Sequence, residues 1–280
     1  MEISGKDFAM GLRVEHPAEQ INRTQYGDGY ERRYPGIETA QYKLAKTWKE
    51  EARAVYSFCM CPGGYVLNAS TASDGVVTNG MSNYLKSGRF SNAAIVVNVR
   101  SEDLERIGYG GLDGGLTLQR DLEEVFRSSV NAKGSAYVLP AQRLRDFIQG
   151  TRSSSLTDSS SLNPVLSSPL HTLLPSFISD GLRRGFLTFE RKMPGFSTGP
   201  TAQLFGIESR TSSPYRIERD TETLTSPTHA NLYPIGEGAG YAGGITSAAI
   251  DGIRAAQAWI ATLIDTDAAL QGHGSGFDRE

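Results

Sequence analysis

The sequence predicts an α/β protein built on a mixed β-sheet, and three stretches carry this prediction. Residues 92–100, "NAAIVVNVR", are a β-branched run bounded by polar residues, which is typical of a buried strand. A glycine-rich stretch at 108–115 leads into a helix whose apolar residues share one face, namely Leu118, Leu122, Val125 and Phe126. Residues 231–252, "NLYPIGEGAGYAGGITSAAIDG", place a short apolar run, a glycine cluster and a helical pattern in succession.

The first third of the chain predicts strands around one short helix. Residues 9–15 alternate as a strand does, and residues 16–27, "HPAEQINRTQYG", predict a short helix that ends at Gly27. Residues 39–48 and 52–70 have the composition of strands, and the second is broken by a turn at Pro62, Gly63 and Gly64.

The second half begins with a stretch dominated by serine. Residues 149–169 hold too little apolar surface to form a core, so we expect a flexible surface loop. Residues 170–196 predict one or two helices closed by Pro194 and Gly195, and residues 204–226 predict strands with a hairpin-like turn at Asp220 and Thr221.

Size and composition are those of a soluble globular protein. The 280 residues are 39% hydrophobic and 21% charged, and they can bury one large core or two modest ones. The net charge of −3 gives no basic field for nucleic acid, and no apolar run approaches the roughly 20 residues that span a bilayer. Residues 1–10 do not form a secretory signal, and two cysteines are too few for a disulfide framework. We therefore expect a cytoplasmic protein with free thiols.

The glycine cluster has two interpretations within a nucleotide-binding fold. Gly238, Gly240 and Gly243 satisfy G-x-G-x-x-G after an expected strand at 232–235, and Asp265 lies about 20 residues on, where a ribose-binding acid is found. In that interpretation the cluster lies at the start of a nucleotide-binding fold. The residues after Asp265 are polar and glycine-rich, however, so a second apolar strand is lacking. We therefore favour the second interpretation, in which the cluster lies at the C-terminal end of such a fold and completes it.

The helix after Gly244 supports the second interpretation. Its apolar residues recur at steps of three and four and form one face suited to a sheet: Ile245, Ala249, Ile253, Ala256, Ile260 and Leu263. Glycines let the backbone approach a flat ring, and the helix N-terminus directs partial positive charge to it. A flavin fits, because its reduced ring carries negative charge at the N1–C2 carbonyl edge. Glu237 either accepts hydrogen bonds from ribityl or sugar hydroxyls or only caps a turn, with the glycines serving packing.

Three motifs together resemble a known family. They are residues 232–256, "LYPIGEGAGYAGGITSAAIDGIRAA", residues 59–84, "CMCPGGYVLNASTASDGVVTNGMSNY", and residues 208–220, "ESRTSSPYRIERD". The sequence resembles the C-terminal region of uncharacterised FAD-dependent dehydrogenases or oxidoreductases, which are flavoproteins of the two-dinucleotide-fold type. The resemblance extends over about residues 7–262.

The resemblance implies a domain organisation and a cofactor. It implies a mixed-sheet substrate domain over residues 1–230, a strand–loop–helix segment at 231–264 that completes a Rossmann-like FAD domain, and a polar tail at 265–280. It implies FAD as cofactor, held by Gly236, Glu237, Gly238, Gly243, Gly244 and Ile245, of which the last three meet the ring through backbone N–H groups. Glu237 stands where other flavoproteins have an aspartate on the ribityl chain.

The N-terminal FAD-binding half of such flavoproteins is not found in this sequence. No strand–glycine–helix unit precedes residue 7, and that half normally holds most of the phosphate contacts. We therefore expect a partner, which is either another part of the same parent chain or a separate polypeptide. Alone, the chain is expected to bind FAD weakly or not at all and to be inactive.

Substrate candidates are fewer, and each has a structural alternative. The resemblance places Cys59 and Cys61 near the substrate cavity, so we keep them as substrate candidates, although we favour the alternative that they are structural thiols. No further ligands at a suitable spacing accompany them, so no metal site is expected. Arg210, Ser212 and Arg216 surround a turn, where the arginines bind a substrate carboxylate or phosphate, or pair with an acid of this chain.

Two functions follow from these observations. In the first, the chain is the substrate-binding and FAD-completing portion of a flavin-dependent oxidoreductase that transfers hydride through FAD. In the second, it is a non-catalytic binding or scaffold module derived from such a flavoprotein. Flavin binding on mixing with an FAD-binding portion separates the two.

Overall fold

The computed structural model describes residues 1–130 and 137–272, with side chains described as far as residue 264. It divides the chain into two compact units. The larger unit comprises residues 9–110 and 116–211, and the smaller comprises residues 1–8, 111–115 and 212 onward. The functional domains predicted at 1–230 and 231–264 have other boundaries than these units and stay a prediction.

Short strands and helices alternate along the chain. The strands are β1 (Ile3–Gly5), β2 (Phe8–Pro17), β3 (Ala45–Trp48), β4 (Arg53–Cys61), β5 (Gly64–Asn68), β6 (Thr78–Ser82), β7 (Phe90–Val99), β8 (Leu139–Arg143), β9 (Val165–Ser167), β10 (Gln203–Glu208) and β11 (Tyr215–Ile217). The helices are α1 (Ala18–Tyr26), α2 (Tyr30–Arg33), α3 (Ser101–Arg106), α4 (Gly114–Ser128), α5 (Leu144–Gln149), α6 (Leu170–Leu173), α7 (Ser176–Lys192) and α8 (Ile245–Gly272), and a 3₁₀ turn lies at Lys49–Glu51.

A mixed sheet forms the centre of the larger unit, as the sequence predicted. Among the described residues it has seven strands in the order β3-β4-β7-β2-β10-β8-β9. The pairs β3–β4, β4–β7, β2–β10 and β8–β10 are antiparallel, whereas β8 and β9 are parallel. The predicted strands at 9–15 and 92–100 are confirmed as β2 and β7, which lie next to each other in the middle of the sheet.

Helix α7 covers the sheet where β4 and β7 pair. Val55 lies opposite Val97 in the register, and their side chains meet Gly185 and Gly181 of the helix. The predicted helical stretch at 170–196 is therefore confirmed as α6 and α7. Glu190 stabilises the turn that follows α7, because its carboxylate accepts hydrogen bonds from the N–H groups of Gly195, Ser197 and Thr198.

The predicted helix after the glycine-rich stretch is α4, with one correction. Leu118, Leu122 and Phe126 are buried, as expected, but Val125 is exposed. Residues four apart stack on one face of a helix, whereas Val125 precedes Phe126 by one position, about 100° around the axis. It therefore lies at the side of the buried stripe.

The serine-rich stretch is bound to the sheet more closely than its composition suggested. Ser153 and Ser168 are buried, and residues 165–167 form β9. Ser160 donates hydrogen bonds from its N–H and its hydroxyl to the carboxylate of Glu15 on β2. Thr157 donates its N–H to the side-chain oxygen of Gln203 on β10 at 2.9 Å. The prediction of a flexible surface loop considered only the small apolar surface of this stretch. It did not include these bonds, in which serine and threonine bind specific polar groups of the sheet.

The smaller unit confirms one part of the prediction and corrects another. Strand β11 pairs with β1, and the predicted turn follows at Asp220, whose N–H donates to the Thr225 carbonyl at 2.8 Å. The predicted strand at 232–235 is wrong, because these residues follow a turn and no described strand pairs with them. Helix α8 extends through residue 272, so residues 265–272 of the predicted tail are helical; residues 273–280 lie outside the described range.

Candidate functional site

The glycine loop, residues 236–244, lies in the smaller unit and leads directly into α8. The N–H of Tyr241 donates to the carbonyl of Gly236 at 3.0 Å, and the N–H of Gly240 donates to the carbonyl of Glu237 at 2.9 Å. The N–H of Ile217 donates to the carbonyl of Ala239 at 3.1 Å, which joins the loop to β11. The glycine loop is thus a compact turn fixed by its own backbone and by a neighbouring strand.

The glycines of this loop separate into two kinds. Gly240 has a φ of +85°, and a Cβ there would lie 2.2 Å from the carbonyl oxygen of Tyr215, so glycine is required by the fold. At Gly238, Gly243 and Gly244 a Cβ would meet no described atom within 4 Å, and their φ values are not of the left-handed kind. At Gly236, whose φ is +76°, a Cβ would likewise meet no described atom, so four of the six residues predicted to hold FAD have open space beside them, which suits a flat group that approaches the backbone.

The remaining predicted cofactor residues lie around the same opening. Glu237 is exposed, and Lys6 lies within electrostatic range of it. The N–H of Gly243 donates to the Ser247 hydroxyl at 3.3 Å, a long bond for this pair of atoms. Ile245 is the first residue of α8, where N–H groups have no acceptor within the helix. The structure brings these residues together on one loop, and whether they bind FAD stays a prediction.

Helix α8 presents its large apolar side chains outward. Ile245 is 93% exposed, Ile253 is 58% exposed and Ile260 is 49% exposed. The other large exposed residues of the helix are Ile250, Trp259, Leu263 and Ile264. Buried positions include Asp251 and Ala255. This pattern is the reverse of a helix at a water-facing surface, where apolar residues face inward. The predicted apolar face exists, and no described residue covers it.

Two charged residues that the sequence analysis did not select hold the loop against α8. The guanidinium of Arg219 makes two bonds to the carboxylate of Asp251, at 2.7 and 3.0 Å, and a third to the carbonyl of Pro234 at 2.8 Å. The N–H of Gly236 donates to the same carboxylate at 2.8 Å. Hydrogen bonds from Arg219 and from this N–H lower the pKa of Asp251, although burial opposes them. We call Arg219 and Asp251 with these bonds the clasp.

A signal for the clasp was present in the sequence. Asp251 is the only acidic residue in the stretch 245–264, in which most residues are apolar. A carboxylate within such a stretch is expected to have a specific partner, because burying it unpaired is costly. The partner itself could not be identified from sequence, since Arg219 lies 32 residues earlier in the chain.

Cys59 and Cys61 lie at the end of β4, next to an irregularity in the sheet. The register of β4 against β7 shifts between Phe58 and Cys61, and Cys59 has a φ of +44°. Cys59 is exposed and Cys61 is half-buried, and the two form no disulfide. Burial raises the pKa of the Cys61 thiol, against the opposing charge of Arg13. The Cys61 thiol is therefore protonated at neutral pH.

A buried ion pair lies directly behind these cysteines. Arg13 of β2 makes two bonds to Glu208 of β10, at 2.8 and 3.0 Å, and donates to the side-chain oxygen of Asn92 at 2.9 Å and the carbonyl of Cys59 at 3.2 Å. Asn79 accepts a further bond from the guanidinium at 3.3 Å. Five strands thus contribute polar groups to one point next to two thiols: β2, β4, β7 and β10 of the seven-stranded sheet, and β6, which pairs with β5. The sequence analysis missed both residues: Arg13 lies in no motif, and Glu208 opens the motif at 208–220 but was not selected as a site residue.

The two arginine candidates for substrate lie in different units and have different partners. Arg210 uses Nε and Nη2, each at 2.9 Å, to bind the carboxylate of Glu123 on α4, and Glu123 is buried. Of the two predicted alternatives, Arg210 therefore follows the one in which it pairs with an acid of this chain. Arg216 is exposed and its guanidinium lies 5.1 Å from the centre of the Tyr241 ring, while Ser212 is half-buried.

A cavity large enough for a small molecule is found in each unit. In the smaller unit a cavity of about 620 Å³ borders the clasp, and its walls include Arg216, Arg219, Tyr241 and Arg254 together with Glu218 and Glu222. In the larger unit a cavity of about 610 Å³ lies beside the start of α1, between Glu19, Arg89 and Thr157. Neither is lined by Cys59 or Cys61.

Among the described residues, no group of three or more His, Cys, Asp or Glu side chains is placed to hold a metal ion. Within the same part of the chain, none of the helices combines the length and the apolar character needed to cross a membrane.

Comparison with known proteins identifies the family. Residues 7–211 match the family described as FAD-dependent protein, C-terminal domain-like. The chain belongs to this family. The match covers the whole of the larger unit and ends before the glycine loop.

A relative extends the similarity through the rest of the chain. An uncharacterized protein of Clostridium beijerinckii is 38% identical over 262 residues, a match that covers 92% of this chain and 47% of the relative. Because so little of this chain lies outside the match, the matched stretch includes the glycine loop and the start of α8. The chain spans about half the length of this relative.

Proposed function

We propose that the chain completes the FAD site of a flavin-dependent oxidoreductase and binds substrate beside the flavin, together with an FAD-binding portion outside this sequence. One observation carries the proposal. Gly243 and Gly244, beside which the described residues leave open space, lie directly before α8, and α8 exposes an apolar face that a neighbouring element would cover. The open space beside the glycines fits a cofactor. The uncovered apolar face of α8 fits a second portion of protein.

The residues of the glycine loop fit a flavin by their chemistry. The N–H groups of Gly243, Gly244 and Ile245 and the positive end of α8 suit the N1–C2 carbonyl edge of the ring. The exposed Glu237 suits ribityl hydroxyls, since a carboxylate accepts hydrogen bonds only. When bound, FAD supplies hydride transfer, while the chain orients substrate and holds the ring.

We propose that the outer face of α8 contacts the FAD-binding portion. More than half of the Clostridium beijerinckii relative lies outside the match, which leaves room for such a portion in the longer protein. The exposed residues Ile245, Ile253 and Ile260 would be buried there, and each fully buried side chain of this size contributes about 1.5–3 kcal/mol. Alone, the chain would hold FAD weakly, because most phosphate contacts would be missing.

We propose two groups of residues for the substrate site. Cys59 and Cys61 beside the Arg13–Glu208 pair, and Arg216 and Ser212 in the smaller unit, remain candidates. Arg210 becomes the weakest candidate, because Glu123 occupies its guanidinium.

The test is the visible absorption spectrum of the chain after gel filtration with FAD, first alone and then with the FAD-binding portion of its parent protein. We expect no retained flavin alone and retained flavin for the mixture. Ile253→Asp with Ile260→Asp should abolish co-elution, because two carboxylates would enter an apolar contact. Thr262→Asp introduces the same residue at an exposed polar position on the opposite side of α8 from Ile253 and Ile260; it is the matched control and should leave co-elution unchanged.

Three outcomes would count against the proposal. Tightly retained flavin on the chain alone would show that no second portion is needed. Failure of the unaltered chain to associate with the FAD-binding portion would remove the partner. Association without flavin would favour the alternative of a non-catalytic scaffold module.

A further inference from the structure

The clasp joins three segments that are far apart in sequence. Arg219 follows β11, Pro234 directly precedes the glycine loop that begins at Gly236, and Asp251 lies in the second turn of α8. One guanidinium and one carboxylate thus connect the strand, the loop and the helix through four hydrogen bonds, all of 2.7–3.0 Å.

The clasp is protected from water. The Arg219 side chain is 10% exposed and the Asp251 side chain is 8% exposed. The pairing is also bidentate, which fixes the direction of both groups as well as their distance. A surface ion pair would be screened by solvent and salt, whereas this one keeps its geometry because solvent has little access to it.

The same arginine also reaches the far end of the loop. Its guanidinium lies 3.6 Å from the centre of the Tyr241 ring, a cation–π contact. The Tyr241 hydroxyl in turn donates to the carbonyl of Ile217 at 3.1 Å. Arg219 therefore contacts Pro234, which precedes Glu237, and Tyr241, which follows it. It holds the loop from both sides.

We infer that Arg219 and Asp251 are positioning residues, which set the glycine loop in the conformation that receives the flavin. The inference rests on the proposed function. Four glycines between residues 236 and 243 give the loop few side chains of its own to fix it, and an unfixed glycine backbone loses much entropy on binding. A loop held in place beforehand avoids most of that loss, so binding is tighter.

The first experiment measures the loop in the full chain without flavin. Amide hydrogen exchange is followed at Gly236 and Tyr241 in the unaltered chain, in Arg219→Gln and in Asp251→Asn. We expect exchange at Gly236 to accelerate about tenfold in each variant, as the loss of one hydrogen bond to a charged group predicts. Arg219→Lys keeps the charge without the fork and should lie in between, which keeps the test valid if Arg219→Gln fails to fold.

Two controls accompany this measurement. Arg184→Gln removes the guanidinium from another bidentate pair, with Glu51 in the larger unit, and should leave exchange in the loop unchanged. The double variant Arg219→Gln with Asp251→Asn should accelerate exchange no more than either single variant, because the two residues act as one unit.

The second experiment measures FAD affinity by the flavin spectrum in the presence of the FAD-binding portion. Arg219→Gln and Asp251→Asn should weaken FAD binding about tenfold, and Arg184→Gln should not. Unchanged exchange at Gly236 in folded variants would overturn the inference, as would faster exchange with unchanged FAD affinity. If the unaltered complex binds no FAD, the proposed function fails, while the exchange measurement still shows whether the clasp holds the loop.

Discussion

At the scale of single residues, Glu15 and His16 have opposite responses to pH although they are neighbours on β2. Burial raises the pKa of Glu15 to about 7, against hydrogen bonds from Ser160 that favour its charged form. Burial lowers the pKa of His16 to about 4, although its ring nitrogen lies 2.6 Å from the carbonyl of Phe196. Successive residues of a strand point to opposite faces, so the two groups titrate in separate surroundings.

These two shifts predict opposite contributions to stability. Glu15 contributes stability that is fully present below about pH 4.5 and is lost as the pH rises through about 7. His16 contributes stability that is present above about pH 6.5 and is lost as the pH falls through about 4. Between pH 4.5 and 6.5 the two effects nearly cancel, so neither is visible in the unaltered chain.

Substitution should separate them. In Glu15→Gln the free energy of unfolding should rise by about 3 kcal/mol from pH 4.5 to 6.5, and in His16→Gln it should fall by a similar amount. Urea unfolding at several pH values measures both, and the unaltered chain is the control. Parallel pH profiles for the two variants would contradict the assignment. No motif in the sequence marks either residue, because the burial that shifts them comes from distant segments.

At the scale of secondary-structure elements, the contact between α7 and the sheet depends on two glycines. A Cβ at Gly185 would lie 2.6 Å from Cγ1 of Val55, whereas a Cβ at Gly181 would lie 3.1 Å from both Cγ atoms of Val97. The first distance forces a shift of a buried, β-branched side chain, and the second requires only a small adjustment.

We therefore expect the two alanine substitutions to differ. Gly185→Ala should lower the free energy of unfolding by about 1–3 kcal/mol, because it overpacks the interface. Gly181→Ala should change it by less than about 1 kcal/mol, since the helix propensity of alanine offsets a milder contact. Urea unfolding midpoints at equal m-values measure the difference. Equal effects of the two substitutions would show that the helix adjusts its distance from the sheet freely.

Elements that depend on local pattern were predicted well. β2, β7, α1 and α7 were found where alternation, β-branched runs or helical periodicity placed them, and α1 ends before Gly27, whose φ is +82°. The strand expected at 232–235 was not found. A short apolar run forms a strand only when another strand supplies hydrogen bonds, and no described segment does so here.

At the scale of the whole molecule, FAD should stabilise the chain only in the company of its FAD-binding portion. With that portion present, FAD at about a hundred times its Kd should add about 2.7 kcal/mol to the stability of the complex. Thermal unfolding with and without FAD measures this, and the chain alone is the control. A similar shift for the chain alone would contradict the division of the site between two portions.

The sequence by itself determined the α/β class, most strands and helices of the larger unit, and the family resemblance that the comparison confirmed. These follow from periodicity and from continuous motifs, which are properties of neighbouring residues. The tertiary structure decided that Arg210 pairs with Glu123, that Arg13 and Glu208 meet behind the cysteines, and that Arg219 and Asp251 hold the glycine loop. It also decided that the apolar face of α8 is exposed. Long-range ion pairs and uncovered surfaces leave no periodic trace in the sequence, because they depend on which distant segments the fold brings together.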